Sequence, residues 1–269
     1  MRSESAPLRG GLATVGVVIL ALLASGCGYD SLALAFRPTA GSVARYRAIT
    51  TTRTFTDLPG SAPDVEQQII IDIAHEVLSA TRDGTLLGIT ATFVRVTQNG
   101  LNVEAPEEVR SRFQVDRSGH AINLATNTVN ASDTARQGLP EITAPFPPGR
   151  VRLGQQWGFS PPVGRGGFGG SARLIRLDRV NGVNVAEIEA NLATSIEDTE
   201  IRGRDGPVTI GGPLTLHVRG TYEVDTGMLI ESQQELAGDF RLRFALEGST
   251  SPPVAGTQRL TVSTETRRA

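Results

Sequence analysis

The sequence predicts an all-β protein of antiparallel strands, on three observations. Apolar and polar residues alternate over long stretches, as where Ile69, Ile71, Ile73, His75 and Val77 share one face; this is the period of a half-buried strand, not of a helix. Turn dipeptides, Asp83-Gly84 and Asn181-Gly182 among them, separate such stretches, and they suit tight hairpins in which both central residues take positive φ. The composition is turn-rich and poor in aromatics, with 30 glycines and 5% Phe, Trp and Tyr, and its Thr, Val, Ile and Leu favour pleated strands. One cysteine in 269 residues rules out an internal disulfide, so stability has to come from buried sheet faces. A net charge of −2 provides no basic field for nucleic acid.

The chain opens with an export signal over residues 1–26. Arg2 and Arg9 precede an apolar run from Leu12 to Ala24, and the small residues Ser25 and Gly26 lead to Cys27. That order of charge, short apolar core and small-residue exit is that of a signal peptide. The run is too short to span a bilayer, which takes about 20 apolar residues. Ala24-Ser25-Gly26-Cys27 resembles the bacterial lipobox, with the difference that Leu23 stands four residues before the cysteine instead of three. The resemblance implies attachment of a diacylglyceryl group to the thiol of Cys27 and cleavage just before it. More than one chain makes such an anchor stable. Ala24 and Gly26 also satisfy the ordinary small-x-small cleavage rule, but that leaves a lone free thiol in an oxidising compartment. Cys27 is therefore expected to be a lipidation site, with residues 27–31 as anchor and short tether.

Strands are expected from there on. Leu32, Leu34 and Phe36 alternate and, through a turn at Pro38–Ser42, read as a hairpin with Val43–Phe55. Residues 67–81 and 86–97 form a second hairpin around Asp83-Gly84. Residues 101–112 have room for one helical turn, and 112–124 make a hairpin at Ser118-Gly119. The proline-dense stretch 139–152 suits a connector better than a central strand. Beyond it, 171–180 and 183–196 flank Asn181-Gly182, 212–225 and 227–247 meet at Thr226-Gly227, and 258–268 forms a last strand.

The two halves share an order of features. Gly41 leads to Tyr46, and Gly154 leads to Trp157; a hairpin at Asp83-Gly84 matches one at Asn181-Gly182. RFQVDRSGHAI (112–122) matches TYEVDTGMLI (221–230). A repeat of this length is a domain duplication and not a solenoid. It predicts a first β unit over 32–138 and a second over 153–269, as curved sheets or half-barrels. Gly41, Tyr46, Leu139-Pro140, Gly154, Trp157, Asp225 and Gly227 together resemble an uncharacterised family of bacterial envelope lipoproteins carrying a domain of unknown function. The resemblance implies location and architecture, and brings no activity. More distantly, long antiparallel strands behind a lipobox are similar in fold class to the periplasmic lipoprotein carriers, whose half-open barrel holds acyl chains.

Motifs for chemistry are sparse. Gly164, Gly166 and Gly169 have the spacing of a dinucleotide loop, but strand-like sequence comes next where a phosphate-binding helix is required. His75, His120 and His217 lie far apart, and His75 and His217 sit in apolar alternations, so satisfied core histidines are expected and no metal or cofactor. No G-x-S-x-G elbow occurs. Glu107-Glu108 and Glu197, Asp198, Glu200 and Asp205 read as polar loops; they lack the cleft geometry of glycosidases and the ligand spacing of calcium loops. The expectation is a non-enzymatic, lipid-anchored envelope protein facing the periplasm or exterior. Gly28, standing where an inner-membrane retention signal has Asp, implies the outer membrane in a two-membrane cell. The faces of Val218, Gly220, Tyr222 and Val224 and of Phe240, Leu242, Phe244 and Leu246 allow two readings. Either they line a cavity for an apolar ligand, or they fill a core and the partner is an envelope protein.

Overall fold

Alternation becomes strand almost throughout the computed structural model, which describes residues 31–58, 64–105, 108–119, 121–125, 146–160, 168–202, 207–244 and 253–269. The strands are β1 (Leu32–Ala33), β2 (Val43–Asp57), β3 (Val65–Ala80), β4 (Thr85–Gln98), β5 (Leu101–Asn102), β6 (Glu108–Val115), β7 (Ala121–Ala125), β8 (Arg150–Val151), β9 (Gln156–Phe159), β10 (Gly169–Val180), β11 (Val183–Arg202), β12 (Pro207–Glu223), β13 (Leu229–Phe244) and β14 (Val254–Arg268). The described residues contain no helix.

One antiparallel sheet holds twelve of these strands, in the order β7-β6-β4-β3-β2-β14-β13-β12-β11-β10-β9, with β5 beside β4. The halves are thus arms of a single sheet. They meet where β2 pairs with β14, in an unbroken register from Asp57–Thr257 to Tyr46–Arg268.

Burial follows the pleat. On β2, Ala44, Tyr46, Ala48 and Thr50 are buried while the residues between them are exposed; on β3, Ile69, Ile71, Ile73, His75 and Val77 all point inward. The core cluster draws on both arms and includes Tyr46, Ile71, Leu87, Phe113 and Val115 with Trp157, Leu174, Ile188 and Tyr222. Each fully buried Leu or Ile stabilises by about 1.5–3 kcal/mol. Two aromatic rings fold back over glycines on their own strands, Tyr222 over Gly220 and Phe240 over Gly238; any side chain at either glycine would meet the ring. The opposite face is polar and carries cross-strand ion pairs such as Arg47–Asp72 and Arg53–Glu66, both at 2.8 Å. Exposed pairs of this kind add at most about 1 kcal/mol each.

The N-terminal segment departs from the expected hairpin. Leu32 and Ala33 pair with Val151 and Arg150, not with β2. Farther along, the Phe36 amide donates to the Arg117 carbonyl and the Arg37 amide to that of Thr226, each at 2.9 Å, while Phe146 N donates to Ser118 O. These partners consume the backbone groups that a hairpin would have used, yet Leu32, Leu34 and Phe36 stay buried as the alternation requires. The β1–β8 ribbon, with Phe146 and Val151 also buried, caps the end of the sheet where the 116–119 and 225–228 turns lie. Phe146 packs edge-on against Tyr222 at 5.3 Å.

Other differences are local. Where a helical turn was expected in 101–112, the described residues hold the short strand β5 and the start of β6, on which Val109, Phe113 and Val115 point inward. Asn181 and Gly182 have φ of 50° and 84°, the expected tight turn. Asp83-Gly84 is not that turn. There the Thr81 amide and hydroxyl both donate to Gly84 O, at 2.9 and 3.0 Å, closing a wider loop. Asn99-Gly100, for which the sequence pattern raised no expectation, takes the double positive φ instead, at 50° and 79°. Of the connector 139–152, residues 139–145 lie outside the described residues.

Candidate functional site

The residues singled out in the sequence do not converge. Cys27 lies outside the described residues, as do His120, Glu107, Asp205, Gly164 and Gly166. Gly169 opens strand β10, so the glycine loop leads into a strand and not a helix, as expected. Glu197, Asp198 and Glu200 lie within β11 and not on a loop. The strand continues past a register shift between Ile196 and Thr199 because β12 extends beside it. Glu108 is bound by Arg110 at 2.5 Å. Among the described residues no three His, Cys, Asp or Glu side chains come close enough to hold a metal.

His75 is buried as expected, at 4% exposure, but it is not satisfied. Its Nε2 has no hydrogen-bond partner among the described residues, and its ring tilts against Tyr46 with centroids 4.7 Å apart. Burial pushes its pKa down to about 4, because an apolar surround disfavours the imidazolium. The same burial pushes Tyr46 up to about 12. Both groups are uncharged at neutral pH. His217 differs from the expectation: it sits on the opposite, polar face, with Nδ1 2.9 Å from Asn191 Oδ1. Tyr46 and Trp157, to which Gly41 and Gly154 lead, are both buried.

A polar cleft of about 310 Å³ runs across β10–β14, lined by Arg176, Glu187, Arg219, Thr221, Glu231, Gln233, Glu265 and Arg267 among others. Register places these residues: Arg176 faces Glu187 on β11, Glu187 faces Thr221, and Thr221 faces Glu231, which faces Arg267. Glu187 forms the floor with only 9% of its side chain exposed; Arg176 Nε lies 3.1 Å from one of its oxygens, and Arg219 Nε donates to the other. The hydrogen bond from Arg219 and the carboxylate's charge hold the Arg219 guanidinium above its ordinary range. Both carboxylate oxygens of Glu187 are thus engaged by arginines. The cleft offers hydrogen-bonding groups of both charges. Sequence reasoning missed it, since only the register across five strands brings these residues together. The polar alternation of each strand was its one visible signal.

Comparison with known proteins adds little. No family model matches the sequence, and no curated protein matches it. Among solved structures the chain is similar to the crystal structure of Pseudomonas aeruginosa OccK2 (OpdF) in complex with glucuronate. The identity is 8%, covering 86% of this chain and 98% of that one, and the TM-score is 0.21. A likeness at that level carries no argument.

Proposed function

We propose that the chain is an exported, lipid-anchored bacterial envelope protein, held to the outer membrane or cell membrane through Cys27, that acts as a non-catalytic interaction module. The filled core carries this reading. Leu32, Leu34, Phe36, Phe146 and Val151 occupy the space inside the capped end of the sheet, where a carrier would hold its cargo. Among the described residues burial starts at Leu32, five positions after Cys27 in the sequence, which keeps the cap close to the membrane. A protein partner in the envelope then meets the polar sheet face or the far loops.

Two outcomes test the anchor. Cells producing the full chain and fed labelled palmitate incorporate it into the protein, and the Cys27→Ser variant loses both the label and membrane association. Label retained by that variant, or missing from the wild type, sinks the assignment.

An apolar ligand is the second reading, favoured by one observation. Beyond the filled end, the inward faces of β12–β14 continue with Leu214, Leu236, Leu260 and Val262 only half buried. Native mass spectrometry of the chain from Gly28 onward separates the readings. The filled-core reading expects an apo mass with no uptake from added phospholipid or fatty acid, and a stoichiometric adduct transfers the assignment to the ligand carrier.

The duplication belongs to the same proposal. It is supported by the order along the sheet, in which β9, β10, β11, β12 and β13 run in the same sense as β2, β3, β4, β6 and β7. Two of the three equivalent glycine pairs also agree: Gly41 and Gly154 have φ of 81° and 80°, and Gly119 and Gly227 have 86° and 69°, whereas Gly84 and Gly182 differ at 150° and 84°.

A further inference from the structure

One transverse row of the inward face is unlike its neighbours. It runs through Ile188 on β11, Gly220 on β12, Ser232 on β13, Thr266 on β14, Ala48 on β2 and Ile71 on β3. Its four central positions carry small side chains, while its two ends carry isoleucine. The Tyr222 ring covers Gly220, which leaves Ser232, Thr266 and Ala48 as the shallow part. Ser232 and Thr266 are 4% and 2% exposed, and neither hydroxyl has a hydrogen-bond partner among the described residues. They stand directly opposite each other across β13–β14, where facing Cβ atoms are about 4.5–5.5 Å apart. One position along, Thr50 and Thr264 occupy the same relation across β2–β14 and bond to each other at 3.1 Å. So a hydroxyl pair on this face bonds directly where it can, and Ser232 and Thr266 do not.

Buried hydroxyls without partners are rare, because each forfeits its hydrogen bonds to water on folding. A site between two such hydroxyls, in a shallow row and walled off from solvent, is of the kind that internal water occupies with two or more polar contacts. We propose that Ser232 and Thr266 form an internal binding site for water, bridged Oγ to Oγ1 inside the sheet, next to the strand pair that joins the two arms. The guest satisfies both hydroxyls.

A double-mutant cycle on the chain from Gly28 onward, which retains every core residue, tests this. Ser232→Ala, Thr266→Val and the double variant are compared with wild type by thermal unfolding. If the hydroxyls share a guest, each single change strands the remaining partner and lowers the melting temperature by roughly 2–4 °C, and the double change lowers it by less than the sum. If they are independent orphans, each apolar replacement raises the melting temperature and the two effects add; that result overturns the proposal. A crystal structure at high resolution gives a second reading that does not depend on the variants. Density for a water within hydrogen-bonding reach of both oxygens supports the site, and a continuous apolar contact between β13 and β14 there removes it.

Discussion

Taking the protein from pH 7 to pH 4 is expected to remove about 3 kcal/mol of its stability through His75 alone. The sign comes from linkage. His75 titrates near 4 in the fold and near 6.5 when unfolded. Between those values the unfolded chain binds a proton that the native chain refuses, so stability rises with pH across that window. The contribution is complete above about pH 6.5 and is lost as pH falls toward 4. Surface carboxylates act lower: Asp72, held below its usual range by its hydrogen bond and ion pair with Arg47, adds its own loss only under its ordinary pKa. Urea unfolding at pH 7, 5.5 and 4 measures the effect, and His75→Phe isolates it, since a neutral ring of similar size keeps the packing against Tyr46. The variant should show a flat response through this window. A wild type equally stable at pH 7 and pH 4 would contradict the assignment of a buried neutral imidazole.

Gly227→Val should be the most damaging single substitution at the capped end, costing about 3 kcal/mol or more. Gly227 has φ of 69°, a left-handed conformation that a β-branched residue resists. A side-chain carbon there would also meet the backbone of Ala35 and Phe36 within 2.5–2.9 Å, and backbone cannot step aside as a flexible side chain does. The loss therefore combines local strain with detachment of the 32–37 segment, including the Arg37–Thr226 hydrogen bond. Limited proteolysis distinguishes this from a general weakening: cleavage should begin between residues 31 and 42 in the variant. Gly41→Ala serves as the control, since its φ of 81° carries strain but nothing lies within 4 Å of the added carbon. Equal losses in the two variants would show that the close approach contributes nothing.

Strand positions were legible because their signal is local. The alternation of Ile69, Ile71, Ile73, His75 and Val77 fixed one face of β3 without knowledge of its neighbours. Turns were legible only in part. Asn181-Gly182 behaves as its dipeptide dictates, whereas Thr81 supplies a hydroxyl that reshapes the Asp83-Gly84 loop, a contact that dipeptide chemistry does not contain. Pairing between distant strands was not legible at all. Leu32 and Leu34 showed that they would be buried but not that β8 would cover them, and the cleft around Glu187 depends on the register of five strands. The acidic stretch after Ile196 misled for a related reason, since its polarity suits a loop while the neighbouring β12 holds it extended. His75 divides in the same way: its burial was written in the strand pattern, and its unpartnered nitrogen depends on what surrounds it in space.

The pairing of β2 with β14 also governs how the protein can fold. These strands are separated by most of the chain, yet Thr50 and Thr264 touch across them, 214 residues apart. The arms are joined only when β14 pairs with β2, and that step closes a very long loop. Sheets dominated by such distant contacts fold on the slower, millisecond-to-second scale. The two arms therefore remain separate sheets until β14 settles between β2 and β13, and that one strand makes them a single sheet.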